Sequence, residues 1–194
     1  MRIKSLSNTY HWVNRMKITI LDKVEQYLKV NDWNYGIPSK KDGVIILGFE
    51  GTNGRWNCML QCREDAQQIV FYSRCRVDVP EKHREEVTNF ITDTNYRIAV
   101  GNYEMDREDG ELNFKTGIDI QDVNITEEMI RNLMMINLAT YDKMLPKLEN
   151  IIGNTDDTGL PDIKNLVRGE DKTFTFDVTT DGSKDWDESM GEYE

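Results

Sequence analysis

The 194-residue sequence lacks any long apolar run. No stretch reaches the roughly 18 consecutive apolar residues that a membrane-spanning helix needs, so no membrane partner is expected. Residues 1–17 also lack an apolar run followed by a small-residue cleavage site, so neither a signal peptide nor an anchor is predicted. These absences predict a protein of the cytoplasm.

Cysteine and histidine are both scarce, with three and two residues. An odd number of cysteines without a secretory signal indicates reduced thiols. Cys58 and Cys62 lie on one predicted strand, about 13 Å apart, which is too far for a disulfide. Their spacing does not suit a zinc site, and His83 lies among charged residues of a predicted helix. No catalytic pair, metal site or cofactor is therefore predicted.

The sequence has 24 basic and 35 acidic residues, which gives a net charge of −11. Binding to nucleic acid through phosphate requires a basic face, so no nucleic-acid partner is predicted. The acidity is uneven, because residues 154–194 hold 12 acidic and 4 basic residues and leave a net charge of only −3 for residues 1–153. The sequence predicts a domain over residues 1–153 and an acidic tail over residues 154–194, flexible or loosely docked.

Periodic patterning is abundant in the first half of the chain. Apolar residues three and four apart predict a helix over residues 11–31, and residues 32–43 end it with glycine and proline. Three strands are then predicted, over residues 44–50, 55–63 and 69–77. Asn53-Gly54 favours a tight turn between the first two. The alternation of apolar and polar residues predicts a sheet that is covered on one face only.

The second half predicts a helix that begins near Pro80 and ends near Asn95, strands over residues 97–105 and 111–118, and a last helix over residues 126–152. Pro146 predicts a kink or a break in that helix. The order α-β-β-β-α-β-β-α, with hairpin-length connections, predicts an α+β fold. Its sheet would be twisted and antiparallel, with about five strands and with helices on one face.

The middle of the last predicted helix, residues 133–139, is apolar nearly all round. A helix that covers only a sheet keeps a polar side, so this helix is predicted to face both the sheet and a protein partner. Methionine suits an adaptable contact surface, although it also fills irregular cores. The residues predicted for the partner surface are Leu133, Met134, Met135, Leu138 and Tyr141. The alternative, equally open at this point, is a core helix of the domain.

Two further hypotheses concern other parts of the chain. A small-ligand-binding domain or an enzyme would need a pocket on the sheet, and Arg55, Arg74 and Arg76 are the candidates to line it. Within the acidic tail, residues 173–178 alternate as a strand does, so they are predicted to dock on the sheet or to stay loose. By adding a strand to the sheet edge they would block a partner site.

Several short motifs over residues 9–152 resemble those of the YbjN family, also called bacterial sensory transduction regulators. The motifs are Phe49-Glu50-Gly51-x-Asn53-Gly54-x-Trp56, Val79-Pro80 with Arg84 and Asn95, Gly101-Asn102-Tyr103-Glu104 with Gly110, and Tyr141 with Pro146. The family's fold is similar to that of the type III secretion chaperones, which commonly dimerise and bind unfolded segments of partner proteins. The resemblance implies a non-enzymatic protein-binding module, chaperone-like or regulatory, with a homodimer among its assemblies. It supplies neither a partner nor catalytic residues, and it does not reach the tail.

Overall fold

The computed structural model describes residues 18–153. The acidic tail and the first residues of the first predicted helix therefore lie outside the described residues. Three helices and six strands follow one another, with one turn of 3-10 helix (Glu81–His83) before the second helix. They are α1 (Ile20–Val30), β1 (Tyr35–Ser39), β2 (Val44–Glu50), β3 (Arg55–Arg63), β4 (Gln68–Arg74), α2 (Arg84–Arg97), β5 (Asn102–Met105), β6 (Leu112–Asp119) and α3 (Glu127–Ile152).

A capping box starts α1 at its N-terminus. The Thr19 hydroxyl accepts a hydrogen bond from the backbone N–H of Asp22 at 3.0 Å, and the Asp22 carboxylate accepts one from the backbone N–H of Thr19 at 3.0 Å. These hydrogen bonds to Thr19 lower the pKa of Asp22. Two donors that a helix end leaves without partners are satisfied in this way. The sequence predicted a start near residue 11, whereas the described helix begins at Ile20.

The six strands form one antiparallel sheet in the order β1-β2-β3-β4-β6-β5. The predicted hairpin joins β2 and β3 in the register Glu50↔Arg55. The predicted alternation of β3 is also confirmed, because four side chains point from it into the main core: Trp56, Cys58, Leu60 and Cys62. All three helices contribute to this same core, so we call this side of the sheet the helix face and the other side the open face.

Strand β1 was missing from the sequence-based prediction, which interpreted Gly36 and Pro38 as breakers. The strand lies at the edge of the sheet and pairs only with β2. Proline has no backbone N–H to donate, and an edge strand needs partners on one side only, so the edge tolerates it. The register shifts between Gly36 and Ser39, around this proline.

The other errors concern the ends of elements. Helix α2 continues to Arg97, so the strand predicted over residues 97–105 begins only at Asn102. Helix α3 matches the predicted range of residues 126–152 closely, with Thr126 as its N-cap, and it continues through Pro146 without a break. The predicted α+β class, with helices on one face of an antiparallel sheet, is confirmed. No helix among residues 18–153 is both long enough and apolar enough to cross a membrane.

Candidate partner-binding surface

Helix α3 lies across the centre of the helix face. It packs on β4 and β6 and is flanked by α1 and α2. The Thr126 hydroxyl caps its first turn by accepting a hydrogen bond from the backbone N–H of Met129 at 3.3 Å. At about 1.5 Å per residue, its 26 residues span about 39 Å. The helix therefore has a long inner side on the sheet and an outer side away from it.

Four of the five residues predicted for a partner surface lie on the inner side of α3. Leu133, Met134, Leu138 and Tyr141 are all buried in the main core. These four residues take the place that the alternative, a core helix, assigns to them, since their spacing along the helix turns them together towards the sheet. Only Met135 lies on the outer side, where 45% of its surface is exposed.

Asn137 is the polar residue in the middle of the inner side, and it is fully buried. Its amide nitrogen donates hydrogen bonds to the backbone oxygens of Phe71 on β4 and Phe114 on β6, both at 3.0 Å. The Thr116 hydroxyl lies 3.3 Å from the same nitrogen and donates to the backbone oxygen of Leu133 at 3.1 Å. Asn137 thereby fixes α3 to two neighbouring strands at one position along the sheet.

The amide oxygen of Asn137 is also satisfied. It accepts a hydrogen bond of 2.6 Å from the Ser73 hydroxyl, which in turn accepts one of 2.9 Å from the Trp56 indole nitrogen. The Cys58 sulfur lies 3.6 Å from the same hydroxyl. A buried polar network with its partners in place favours one arrangement of the helix on the sheet, because any shift would leave polar groups unpaired. No sequence pattern predicts this network, because its members come from four elements, α3, β3, β4 and β6.

Asp142 fixes α3 to the turn between β2 and β3. Its carboxylate accepts hydrogen bonds from the backbone N–H groups of Thr52 at 3.2 Å and Asn53 at 2.9 Å. A Cβ atom at Gly51 would lie 2.3 Å from Asp142 Oδ1, so glycine permits this close approach. The turn and the helix are thus held together by a charged acceptor on two backbone donors.

Asn53 and Pro146 complete this connection. Proline has no N–H, so Pro146 leaves the backbone oxygen of Asp142 without its usual partner in the helix. The side-chain amide of Asn53 donates to that oxygen at 3.0 Å. The turn residue therefore replaces the hydrogen bond that the proline removes, which explains how α3 continues past Pro146.

A row of aromatic side chains continues the inner packing. The Trp56 ring lies 5.0 Å, centroid to centroid, from both Phe49 and Tyr141. The Tyr141 hydroxyl donates to the backbone oxygen of Arg74 at 3.3 Å. Burial raises the pKa of Tyr141 well above its ordinary value, so this phenol stays neutral. The ring packs on Trp56, and the hydroxyl ties α3 to the end of β4.

The outer side of α3 presents Met135 and Ile136, which are 45% and 40% exposed. Ala139, one turn further on, is exposed as well. We call Met135, Ile136 and Ala139 the outer patch. Polar residues border it along the helix, with Arg131 and Asn132 before it and Lys143 after it. Met135 is the one residue that the outer patch shares with the predicted partner surface.

The three cysteines are free and buried. Burial raises the pKa of Cys58 and of Cys62 to about 12, and it also raises the pKa of Cys75. Neutral buried thiols are poor nucleophiles and poor metal ligands. Among residues 18–153 no group of three His, Cys, Asp or Glu side chains is placed to hold a metal ion.

The structure does not bring together the three arginines proposed to line a pocket. Arg55 pairs with Glu50 across the β2–β3 turn at 3.1 Å. Arg74 pairs with Glu111 and, at 3.1 Å, with Asp78. Arg76 pairs with Glu149 of α3 on the helix face. Each guanidinium thus meets carboxylates of its own surroundings, and the three do not converge on one site.

The profile of the YbjN family, described as "Putative bacterial sensory transduction regulator", matches residues 21–150. This chain belongs to the YbjN family. The resemblance inferred from short motifs is therefore confirmed. No curated protein sequence matches the chain significantly.

Among solved structures, YbjN from E. coli is similar in fold. It has 10% sequence identity and a TM-score of 0.53, with 69% of this chain and 94% of that chain covered. The ExsC–ExsE complex (13% identity, 71% and 99% covered, TM-score 0.47) and the HopA1–SchA chaperone–effector complex (7%, 62% and 88%, 0.43) are less similar. At this level of identity the first similarity establishes the fold alone.

Several residues of the YbjN-like motifs hold loops in place. The Arg84 guanidinium donates to the backbone oxygens of Arg107 at 2.9 Å, Glu108 at 3.2 Å and Asp109 at 2.9 Å, and so supports the β5–β6 loop. The loop closes at Gly110, whose φ of +90° is a conformation that side chains with a Cβ rarely adopt.

Asn95, another motif residue, joins α2 to the edge strand β5. Its side chain accepts a hydrogen bond from the backbone N–H of Tyr103 at 2.7 Å and donates to the backbone oxygen of Tyr103 at 3.0 Å. In this way the side chain replaces a neighbouring strand. Together with the Asn53–Asp142–Pro146 contact, these roles show that the motif residues of this YbjN protein stabilise its fold. None of the motif residues belongs to the outer patch.

Proposed function

We propose that this YbjN protein is a non-enzymatic module that binds a protein partner, in a chaperone-like or regulatory role, through the outer patch of α3. The observation that carries the proposal is the exposure of two adjacent large apolar side chains, Met135 and Ile136, at the middle of the central helix. The family description as a sensory transduction regulator supports a regulatory role.

The outer patch has the chemistry of a contact surface. Burying a methionine or isoleucine side chain releases roughly 1.5–3 kcal/mol relative to leaving it in water. Methionine is unbranched and flexible, so it adapts to partners of different shape. The polar neighbours Arg131, Asn132 and Lys143 would form the rim, which matches the usual arrangement of an apolar centre and a polar border.

The rigid inner side favours binding by the outer side. Asn137 and Asp142 hold α3 in one position on the sheet, so the outer patch is already ordered before a partner arrives. A surface that does not need to be ordered on binding loses less conformational entropy. The proposal therefore needs no rearrangement of this chain.

A second copy of the chain is one partner that fits. A symmetric dimer would bring two outer patches together about a two-fold axis, with Met135 of each copy near Ile136 of the other. We propose the cytoplasm as the site of action, since the three free, buried thiols suit a reducing compartment.

The test is affinity capture from extracts of the native cells, followed by quantification of the captured proteins. The variant is Met135→Asp with Ile136→Asp, which places two charges in the patch. The matched control is Lys147→Gln with Asn150→Asp, which makes the same change in net charge at exposed positions of the same helix outside the patch and its rim. Circular dichroism and thermal unfolding would confirm that all forms are folded.

The proposal predicts that a protein captured by the wild type and the control is lost from the patch variant. Sedimentation velocity of the same three forms would reveal self-association through the same patch. Equal capture by all three forms, with equal molar mass, would contradict a role for the outer patch.

A further inference from the structure

The open face of the sheet carries a second apolar cluster, separate from the main core. Val44 and Ile46 of β2 and Met59 of β3 form it, with Tyr72 of β4 packed against them. The first three are only 5%, 7% and 5% exposed, and no described helical residue belongs to the cluster. Burial raises the pKa of Tyr72 to about 12. Sheet faces that meet water normally alternate to polar side chains, so this open-face cluster is an apolar surface without a described cover.

A row of polar side chains borders the open-face cluster. Asn57 and Asn113 are 4% and 7% exposed, and by register they lie on either side of Arg74. Asn57 Nδ2 and Asn113 Oδ1 are buried without a hydrogen-bond partner among the described residues. The Asn113 amide is oriented by its other end, which donates to Glu111 at 2.6 Å. Leaving such groups unpaired costs about 1–3 kcal/mol each, so this face is suited to a polar occupant as well as an apolar one.

We propose that residues 173–178 of this chain, Thr-Phe-Thr-Phe-Asp-Val, dock on the open-face cluster. Their alternation places Phe174, Phe176 and Val178 on one side of an extended segment, facing the cluster. The backbone of the segment offers a C=O to Asn57 Nδ2 and an N–H to Asn113 Oδ1. One strand, β4, lies between these two side chains, so two inter-strand spacings separate them by about 10 Å, which about three extended residues bridge. This occupant meets both needs of the surface.

The chain is long enough for this docking. Helix α3 ends at the side of the sheet where Asp142 meets the β2–β3 turn and Glu149 meets Arg76. Residues 154–172 then separate Gly153 from Thr173. At about 3.3 Å per residue these 19 residues reach up to about 60 Å, well beyond the edge of a sheet whose side chains and backbone are about 10 Å thick.

The sequence pattern favours the tail over the other end of the chain. Arg63 and Arg74 lie on the open face, on the same side of their strands as Met59 and Tyr72. Glu104 and Glu111 act on Tyr72 as well, and Arg74 pairs with Glu111 and Asp78, so both signs of charge are present on this face and charge does not select the occupant. Residues 1–17 lack the period-two pattern of residues 173–178. The docking lies on the face opposite the outer patch, so it does not rest on the proposed function.

Oxidation of individual methionines by hydrogen peroxide, followed by peptide mass spectrometry on the full chain, tests the docking. Met59 is the reporter, Met135 the exposed reference and Met134 the buried reference. The variant is Phe174→Asp with Phe176→Asp. Its matched control, Thr173→Asp with Thr175→Asp, adds the same charge on the other side of the segment.

In the wild type and the control, Met59 is expected to oxidise as slowly as Met134. In the Phe174→Asp, Phe176→Asp variant it is expected to oxidise severalfold faster, while Met134 and Met135 keep their rates. Equal oxidation of Met59 and Met135 in the wild type would overturn the proposal. Protection of Met59 that survives in the variant would also overturn the proposal, because other residues would then cover the cluster. Protection that is lost on dilution would overturn it too, because a second copy of the chain would then be the cover.

Discussion

The two sides of α3 differ in how strictly they are determined. On the inner side, Asn137 alone makes hydrogen bonds to two strands, and Asp142 holds a turn through two backbone donors. On the outer side, Met135 and Ile136 are apolar, so their side chains make no hydrogen bonds that fix them, and they expose nearly half of their surface. The inner side determines where the helix lies, and the outer side is left free to meet another molecule.

This comparison explains why one helix looked apolar nearly all round. The inner apolar residues are buried in the core, whereas Met135 and Ile136 on the outer side remain 45% and 40% exposed. Substitutions on the inner side should therefore change stability, and those on the outer side should change binding. The five predictions below test this division from the largest expected effect to the smallest.

The largest contrast is expected in thiol reactivity. A pKa raised from 9.0 to about 12 lowers the thiolate fraction of Cys58 about a thousandfold near neutral pH. In the wild type, labelling by Ellman's reagent should wait for unfolding, whereas in Met135→Cys one thiol should react at once. Rapid labelling of the folded wild type would contradict the burial of the inner side.

The same raised pKa links stability to pH. Because the folded thiol titrates above the unfolded one, its contribution to stability is fully present below the unfolded pKa and is lost as the pH rises from there to the folded pKa of about 12. The free energy of unfolding should therefore fall above about pH 8.5. Urea denaturation at pH 7, 8 and 9.5 measures this trend.

Asn137→Ala should cause a large loss of stability. It leaves the Ser73 hydroxyl and two backbone oxygens without their partner, and the sum is expected to be about 3 kcal/mol. The control is Asn132→Ala at an exposed position of the same helix, with an expected change within about 0.5 kcal/mol. Chemical denaturation gives both values, and similar losses in the two variants would contradict the distinction between the sides.

A smaller effect is expected where the β2–β3 turn replaces a helix hydrogen bond. Asn53→Ala should cost about 1 kcal/mol, because the backbone oxygen of Asp142 loses its donor. In a Pro146→Ala background the helix supplies an N–H to that oxygen, so Asn53→Ala should cost less. A double-mutant cycle by urea denaturation measures the coupling between Asn53 and Pro146. An equal cost in both backgrounds would show that the Asn53 hydrogen bond does not replace the helix hydrogen bond that Pro146 removes.

The smallest effect is expected from Tyr141→Phe. The phenol hydroxyl makes one long hydrogen bond, at 3.3 Å to the backbone oxygen of Arg74, while the ring packs on Trp56. Removing the hydroxyl should cost about 0.5 kcal/mol. Thermal unfolding measures it, and a loss comparable to that of Asn137→Ala would mean that the hydroxyl has a role beyond packing.

The sequence allowed most of the fold to be predicted because its patterns are local. The alternation of Trp56, Cys58, Leu60 and Cys62 and the turn at Asn53-Gly54 both depend on neighbouring residues. Strand β1 was missed because a proline is compatible with a strand only at an edge, and the edge is a property of the whole sheet.

The candidate surface was predicted less well, for a related reason. Composition around residues 133–139 indicated an apolar helix, but the inner and outer sides are separated only by the position of each residue around the helix axis. Asn137 is the one polar side chain among them, and it belongs to the core. Ile136 was not among the predicted residues, although its place beside Met135 on the outer side follows once Asn137 is known to face inward.

The central claim is that the outer patch binds a partner while the inner side only supports it. The most direct measurement compares the dissociation constants of the captured partner for Met135→Ala with Ile136→Ala and for Tyr141→Phe. Losing roughly 1.5 kcal/mol or more of apolar contact predicts at least about a tenfold weaker complex for the patch variant. Tyr141→Phe should bind as the wild type does. Unchanged affinity in the patch variant would contradict the claim.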